Sequence, residues 1–303
     1  MEFTNPDYLV TTEWLAGHLD DPDVRVLDVT AKLTGNLENR AFVDCYASSH
    51  IPGSLFFDVA AGKGVLSDPS ADLPWMWPGE DHLVAALAGV GVGPDTRVVI
   101  VARTPRDGID SGTMWCTRAW WTLHNYGVNC AILHGGIEAW EAEARPVTDE
   151  VSVVPEVGPF VPATGWESAR ATKDDVLAAV QGIEGAAVAP TCLVDALPAR
   201  DFDGTGTAYG PRSGHITGAI NVPFRSLING ETAGFVDADT MHARLTGAGL
   251  LDDRDVITYC GGAIAATVDA FALALFAKTN VSVYDGSLME WSGDPELPMT
   301  GSS

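Results

Sequence analysis

The feature that most constrains this chain is that it repeats itself. Val26-Leu27-Asp28 recurs 167 residues later as Leu193-Val194-Asp195, and His50-Ile51-Pro52-Gly53-Ser54 recurs after 165 as His215-Ile216-Thr217-Gly218-Ala219. The run Arg97-Val98-Val99-Ile100-Val101-Ala102 aligns with residues 255–260 at a spacing of 158. His134-Gly135-Gly136-Ile137-Glu138-Ala139-Trp140 aligns with Asp285-Gly286-Ser287-Leu288-Met289-Glu290-Trp291 at 151. The order is kept while the spacing shrinks, so the sequence encodes two copies of one domain, the first with longer loops. Each copy alternates short β-branched runs with amphipathic stretches. Strands are expected near 24–28, 97–101 and 130–133 and helices near 13–20, 80–89 and 113–126, with equivalents in the second half. That pattern predicts an α/β fold built on a mostly parallel sheet with flanking helices. Thr172-Lys173-Asp174-Asp175 resembles a capping box opening the first helix of the second copy. Residues 146–163 carry four prolines without periodicity and read as a linker, giving domains 1–145 and 164–303 in a chain of 303 residues.

Charge and cysteine usage narrow the function. The net charge is −24, and lysine occurs only at 32, 63, 173 and 278, so the positive footprint that nucleic acids and anionic membranes require is missing. No charged-then-apolar leader opens the sequence. The longest apolar stretch, 263–277, is interrupted by Asp269 and is shorter than the roughly 20 residues of a membrane span, so it reads as a buried helix. The five cysteines form no C-x-x-C pair and no His/Cys cluster of metal-ligand spacing. The expectation is a cytoplasmic protein with reduced thiols, no metal and no cofactor.

One cysteine stands apart. Cys260 ends the apolar run Val256-Ile257-Thr258-Tyr259 and is followed by Gly261-Gly262-Ala263-Ile264-Ala265-Ala266-Thr267, a strand running through a small-residue loop into a helix. Loop amides and the positive end of a helix dipole there would favour a thiolate. Gly261, Gly262, Ala263, Ile264 and Ala265 are therefore the expected anion cradle, and Cys260 the nucleophile. The first copy has Ala102 at the equivalent position and can do no thiol chemistry. Cys130 and Cys192 begin apolar runs, and neither Cys45 nor Cys116 has the Gly-rich turn.

His-Ile-Pro-Gly in the first half, Gly-His-Ile-Thr-Gly-Ala-Ile-Asn-Val-Pro-Phe in the second, the Tyr-Cys-Gly-Gly loop and the twin Gly-Gly/Ser-x-x-x-Trp endings together resemble the tandem-domain rhodanese family of thiosulfate/3-mercaptopyruvate sulfurtransferases. The resemblance covers nearly the whole chain. It implies an inactive first domain, a catalytic second one, an active site at their interface, and a cysteine cycling between thiolate and persulfide. The partners it implies are a small anionic sulfur donor and a thiophilic acceptor. Thiosulfate-specific members carry basic side chains just after the cysteine, and mercaptopyruvate-specific members carry Gly then Ser; Gly261 and Gly262 match neither. The family's donor-binding arginines map to Arg212 and to Asp201, with Arg200 beside it. His50 matches a histidine near the family's active site and is a candidate substrate-orienting group or acid/base, with a structural turn as the alternative for it and for His215. Trp75 and Trp77 are expected either in a pocket wall or in the core. A rhodanese-like phosphatase is disfavoured because Ala265, Ala266 and Thr267 stand where an arginine clamp would be needed. A persulfide carrier for a partner protein remains the alternative to a self-contained enzyme.

Overall fold

The computed structural model describes residues 1–104, 112–183 and 190–301. The chain divides into two compact units. One comprises residues 7–166 with 229–235; the other comprises 1–6, 167–228 and 236–303. The linker expected at 146–163 thus belongs to the first unit, where Thr148 bridges to His50 and the Ala163 amide donates to Tyr126 O at 2.8 Å.

Both units are built on the same all-parallel sheet of five strands. In the first the spatial order is Leu9–Val10, Asn129–Leu133, Arg97–Val101, Val24–Asp28, Leu55–Phe56. In the second it is Arg170–Ala171, Val281–Tyr284, Asp255–Tyr259, Thr191–Asp195, Ile220–Asn221. The register repeats too: Asp28 pairs with Val101, and Asp195 with Tyr259. Strands covered on both faces carry continuous apolar runs rather than alternation, as Val98–Val101 and Val256–Tyr259 do. A small antiparallel pair, His215–Ile216 with Met299–Thr300, belongs to the second unit alone.

The helices fall where the sequence periodicity places them. Thr172 and Asp175 make the reciprocal capping box: the Thr172 amide donates to Asp175 Oδ2 at 2.8 Å, and the Asp175 amide to Thr172 Oγ1 at 3.3 Å. The apolar stretch after Cys260 is the helix Ala266–Leu275, buried over all but one of its residues, Asp269 included. Trp75 and Trp77 are core residues of the first unit. Trp75 Nε1 donates to Ala60 O at 2.9 Å, the buried Arg118 donates to Trp75 O, and the Arg118 guanidinium lies 5.9 Å from the Trp77 ring centre. Among the described residues no helix is long and apolar enough to cross a membrane.

This strand order positions the chemistry. In the second unit the chain leaves Thr191–Asp195 toward one edge and Asp255–Tyr259 toward the other, so the carboxyl ends of these neighbours flank a topological switch point. Open α/β sheets bind ligands in the crevice that forms there.

Candidate active site

Cys260 is the first residue beyond the strand Asp255–Tyr259, at that switch point. The loop 260–265 is held from below by its carbonyls and hydroxyls. The amides of Leu288 and Met289 donate to Cys260 O at 3.1 Å and Gly261 O at 2.9 Å. Thr258 Oγ1 donates to Ala266 O at 3.0 Å, and Thr267 Oγ1 to Ile264 O at 2.7 Å. Ser287 is the central brace. Its Oγ accepts the Cys260 amide at 3.3 Å and the Ala263 amide at 3.1 Å, and donates to Tyr284 O at 2.8 Å. With the carbonyls engaged, the amides of Ala266, Gly262 and Ile264 turn toward the sulfur. The cradle expected over residues 261–265 is thus an alternating set: Ala263 supports the turn from beneath and faces Ser287, not the sulfur. Ala263 (φ 59°) and Ser287 (φ 48°) are both fully buried in the left-handed region, a conformation costing a side chain about 1 kcal/mol.

The electrostatics differ from the sequence expectation in one respect. Cys260 is only 2% exposed, and burial pushes its thiol above the ordinary range; the three amides oppose this, and the Asp195 carboxyl adds to it. Burial outweighs the cradle. Within electrostatic reach of the thiol is Asp195, the first of two interacting buried acids. Asp195 Oδ1 accepts the Leu197 amide at 2.8 Å, the Tyr259 hydroxyl bonds the same carboxyl, and burial lifts it to about 7. Asp269 is fully buried with neither oxygen partnered, and burial together with Asp195 pushes it well up.

The expected donor contacts are placed otherwise than the sequence suggests. Arg212 donates from Nε to Ser292 O at 3.0 Å, from Nη1 to Leu297 O at 2.7 Å, and from Nη2 to Trp291 O at 2.8 Å and to Asp294 O. Four of its five N–H groups are spent on backbone carbonyls, which makes it a clamp on residues 291–297. The Arg200 side chain is 72% exposed, with Nε 3.5 Å from Asp201 Oδ1. His50 is buried in the first unit, its ring stacked 4.0 Å from Tyr46 and its nitrogens against Tyr46 O at 2.7 Å and Glu150 O at 3.1 Å. His215 repeats the device, stacked 3.6 Å from Phe202 with Nδ1 on Phe202 O at 2.8 Å. Both histidines therefore fasten turns. Among the described residues no group of three His, Cys, Asp or Glu side chains is arranged to hold a metal.

A parallel strand end and a braced small-residue loop around a buried cysteine, in a chain that builds the same scaffold twice, fit one known design. The rhodanese-like domain profile matches residues 11–143 and again 176–294. The chain belongs to the rhodanese family. Over 297 residues this rhodanese is 32% identical to the 3-mercaptopyruvate sulfurtransferase of Escherichia coli K12, covering 96% of this chain and 97% of that one. The crystal structure of the E. coli 3-mercaptopyruvate sulfotransferase superposes with a TM-score of 0.76 over 92% of this chain and 98% of that one, at 32% identity. The thiosulfate sulfurtransferase of Gallus gallus is 30% identical over 93% of this chain and 92% of its own. The protein is a sulfurtransferase.

Sequence reasoning left Ser287 and the acid pair unassigned. The repeat held a signal for the first: Ser287 aligns with Gly136, which is left-handed at φ 63°, so a serine there occupies a glycine conformation. For Asp269 the signal was its place inside the apolar run 263–277, which a buried helix turns into a buried acid.

Proposed function

We propose that Cys260 accepts a sulfane sulfur from a small anionic donor of the thiosulfate or 3-mercaptopyruvate class and passes it to a thiophile such as cyanide or a thiol. The observation that carries this is the set of amides of Gly262, Ile264 and Ala266 facing one cysteine at a switch point. In the first half-reaction the Cys260 thiolate attacks the donor's outer sulfur. The S–S bond of thiosulfate breaks with its electron pair leaving on sulfite, or the C–S bond of mercaptopyruvate breaks to give the enolate, which takes a proton to become pyruvate. The persulfide then yields its outer sulfur to the acceptor and returns the thiolate.

The buried thiol must first lose its proton, and the site is built so that the charge is met once it forms: three amides face the sulfur without having to reorganise. With Arg212 engaged on carbonyls and Arg200 turned to solvent, the same amides are also the donor's main anion contacts. The first copy is catalytically silent and the second does the chemistry. No cofactor is required by these steps. All five cysteines are free, which supports action in a reducing compartment, the cytoplasm.

Donor treatment followed by mass spectrometry tests the reading. The expected result is one added sulfur confined to the Cys260 peptide, with multiple turnovers using free donor and cyanide. Labelling of another cysteine would overturn the nucleophile, and one stoichiometric loading without turnover would make the protein a persulfide carrier instead.

A further inference from the structure

The segment between Arg200 and Arg212 carries no donor-binding arginine pair, yet it is one of the most firmly tied loops in the second unit. Asp201 is only 3% exposed, and its Oδ1 accepts the Thr207 amide at 2.8 Å. The Arg200 carbonyl accepts the amides of Thr205 at 2.9 Å and Gly206 at 2.8 Å. Gly206 must be glycine, because a Cβ there would lie 3.1 Å from Asp201 Cγ and closer still to its Oδ1. At the other end Arg212 is clamped to four carbonyls, and a Cβ on Gly210 would collide with Ser292 Oγ.

Tyr209 hangs between these two anchors, and its ring lies on the residue that follows the nucleophile. A Cβ on Gly261 would stand 2.7 Å from Tyr209 Cγ and nearer still to Cδ1 and Cε1. The ring therefore fills the volume that a side chain at 261 would occupy. From Cys260 to Leu273 every residue is buried except Gly262, which is half-buried, as Tyr209 is. The ring and the Gly262 backbone are thus accessible groups beside the residues that follow the nucleophile.

We propose that Tyr209 is a specificity-determining residue of this sulfurtransferase, its ring excluding any side chain at position 261 and presenting an aromatic wall to the donor where a cation would otherwise stand. This rests on sulfur transfer through Cys260. A compact dianion gains nothing from such a wall and meets no side-chain cation in the cysteine loop, whereas a donor with a carbon skeleton and a single carboxylate packs its apolar part on the ring and leaves its charge to the amides. The enzyme accordingly favours an α-keto thiol over thiosulfate.

The test is the ratio of kcat/KM for 3-mercaptopyruvate to that for thiosulfate. Tyr209→Ala lowers this ratio about tenfold or more. Gly261→Arg alone costs about a hundredfold with both donors, since the new side chain has nowhere to go. Tyr209→Ala combined with Gly261→Arg recovers at least about tenfold of that loss for thiosulfate, because the cation then occupies the vacated space. A readout free of activity accompanies these: Gly261→Ala lowers the melting temperature by roughly 2–10 °C when Tyr209 is present and by much less in Tyr209→Ala. A ratio unchanged within twofold in Tyr209→Ala, or equal cost of Gly261→Arg in both backgrounds, overturns the proposal. Absence of a Cys260 persulfide with either donor would instead overturn sulfur transfer there, and the melting coupling between 209 and 261 would survive it.

Discussion

At Cys260 and at Ala102 the same strand of the same sheet ends in a loop, and the two loops use their backbone in opposite ways. In both, a helix amide holds the first carbonyl: Leu288 donates to Cys260 O at 3.1 Å, and its counterpart Ile137 to Ala102 O at 3.1 Å. Beyond that the copies part. In the first unit the Thr104 amide is taken by Glu138 Oε1 at 2.7 Å, the Arg103 amide by Thr30 Oγ1 at 2.9 Å, and the Gly112 amide by Thr104 Oγ1 at 3.0 Å. The Arg103 guanidinium is paired with Glu141 at 2.7 and 2.8 Å. In the second unit Met289 replaces Glu138, Ser287 holds the loop from below, and the free amides point at sulfur. The scaffold is shared, and among the described residues the two loops differ in which acceptors claim their amides. Most of the loop that follows Ala102 lies outside the described residues, and the amides of Arg103 and Thr104, which are described, are engaged.

The largest effect is expected at the nucleophile. Cys260→Ser should abolish transfer, a loss of at least about a thousandfold, while replacement of Cys45, Cys116, Cys130 or Cys192 leaves persulfide formation in place. Steady-state assays with mass spectrometry distinguish the two outcomes.

Next comes the brace that the first copy lacks. Ser287→Ala removes the acceptor for two buried amides and should cost about 2–3 kcal/mol in unfolding free energy. A further ten- to hundredfold drop in kcat/KM is expected as the loop relaxes, roughly the loss of one oriented anion contact. Denaturant unfolding that matches the wild type would show that the Ser287 hydroxyl is not what holds the loop.

The acid pair separates the copies by pH. Asp28 and Asp195 are equivalent and burial raises both, but two bonds from Thr30, at 2.9 and 2.5 Å, and the charge of Arg103 oppose the rise at Asp28, whereas the like charge of Asp201 adds to it at Asp195. Asp195 is held at about 7 in the folded protein against an unfolded value near 4. The folded state therefore binds the extra proton, so this group's contribution is fully present below about pH 4 and is lost as pH rises through about 7. Asp195→Asn keeps an oxygen for the Leu197 amide and should be more stable than wild type at pH 8 by on the order of 2 kcal/mol, with no gain at pH 4. It should also lower the pH midpoint for alkylation of Cys260, because Asp195 opposes the thiolate. A gain independent of pH would mean that packing, not charge, is responsible.

The smallest expected effect is none. Ala102→Cys in a Cys260→Ser background should show no transfer above the single mutant, because the amides near Ala102 are already claimed and Glu138 places a carboxyl beside them. Measurable turnover would erase the distinction between the copies.

By itself the sequence determined the duplication, the α/β class, the strand at 255–259, the buried helix after it and the place of Cys260 at the end of that strand. These rest on periodicity and on local order, which the chain carries without reference to distant parts. It also predicted a cradle, because small residues after a strand end leave amides free to face a sulfur. The tertiary structure decided which amides do so, since Ser287, 27 residues downstream, takes the Ala263 amide. It decided that Arg212 grips carbonyls 79 to 85 residues away and that Asp201 ties its own loop. It also brought Asp269 within electrostatic reach of Asp195. An arginine or aspartate in a sequence announces only its charge; whether that charge meets a donor, a carbonyl or nothing depends on the groups that folding brings within about 3 Å of it.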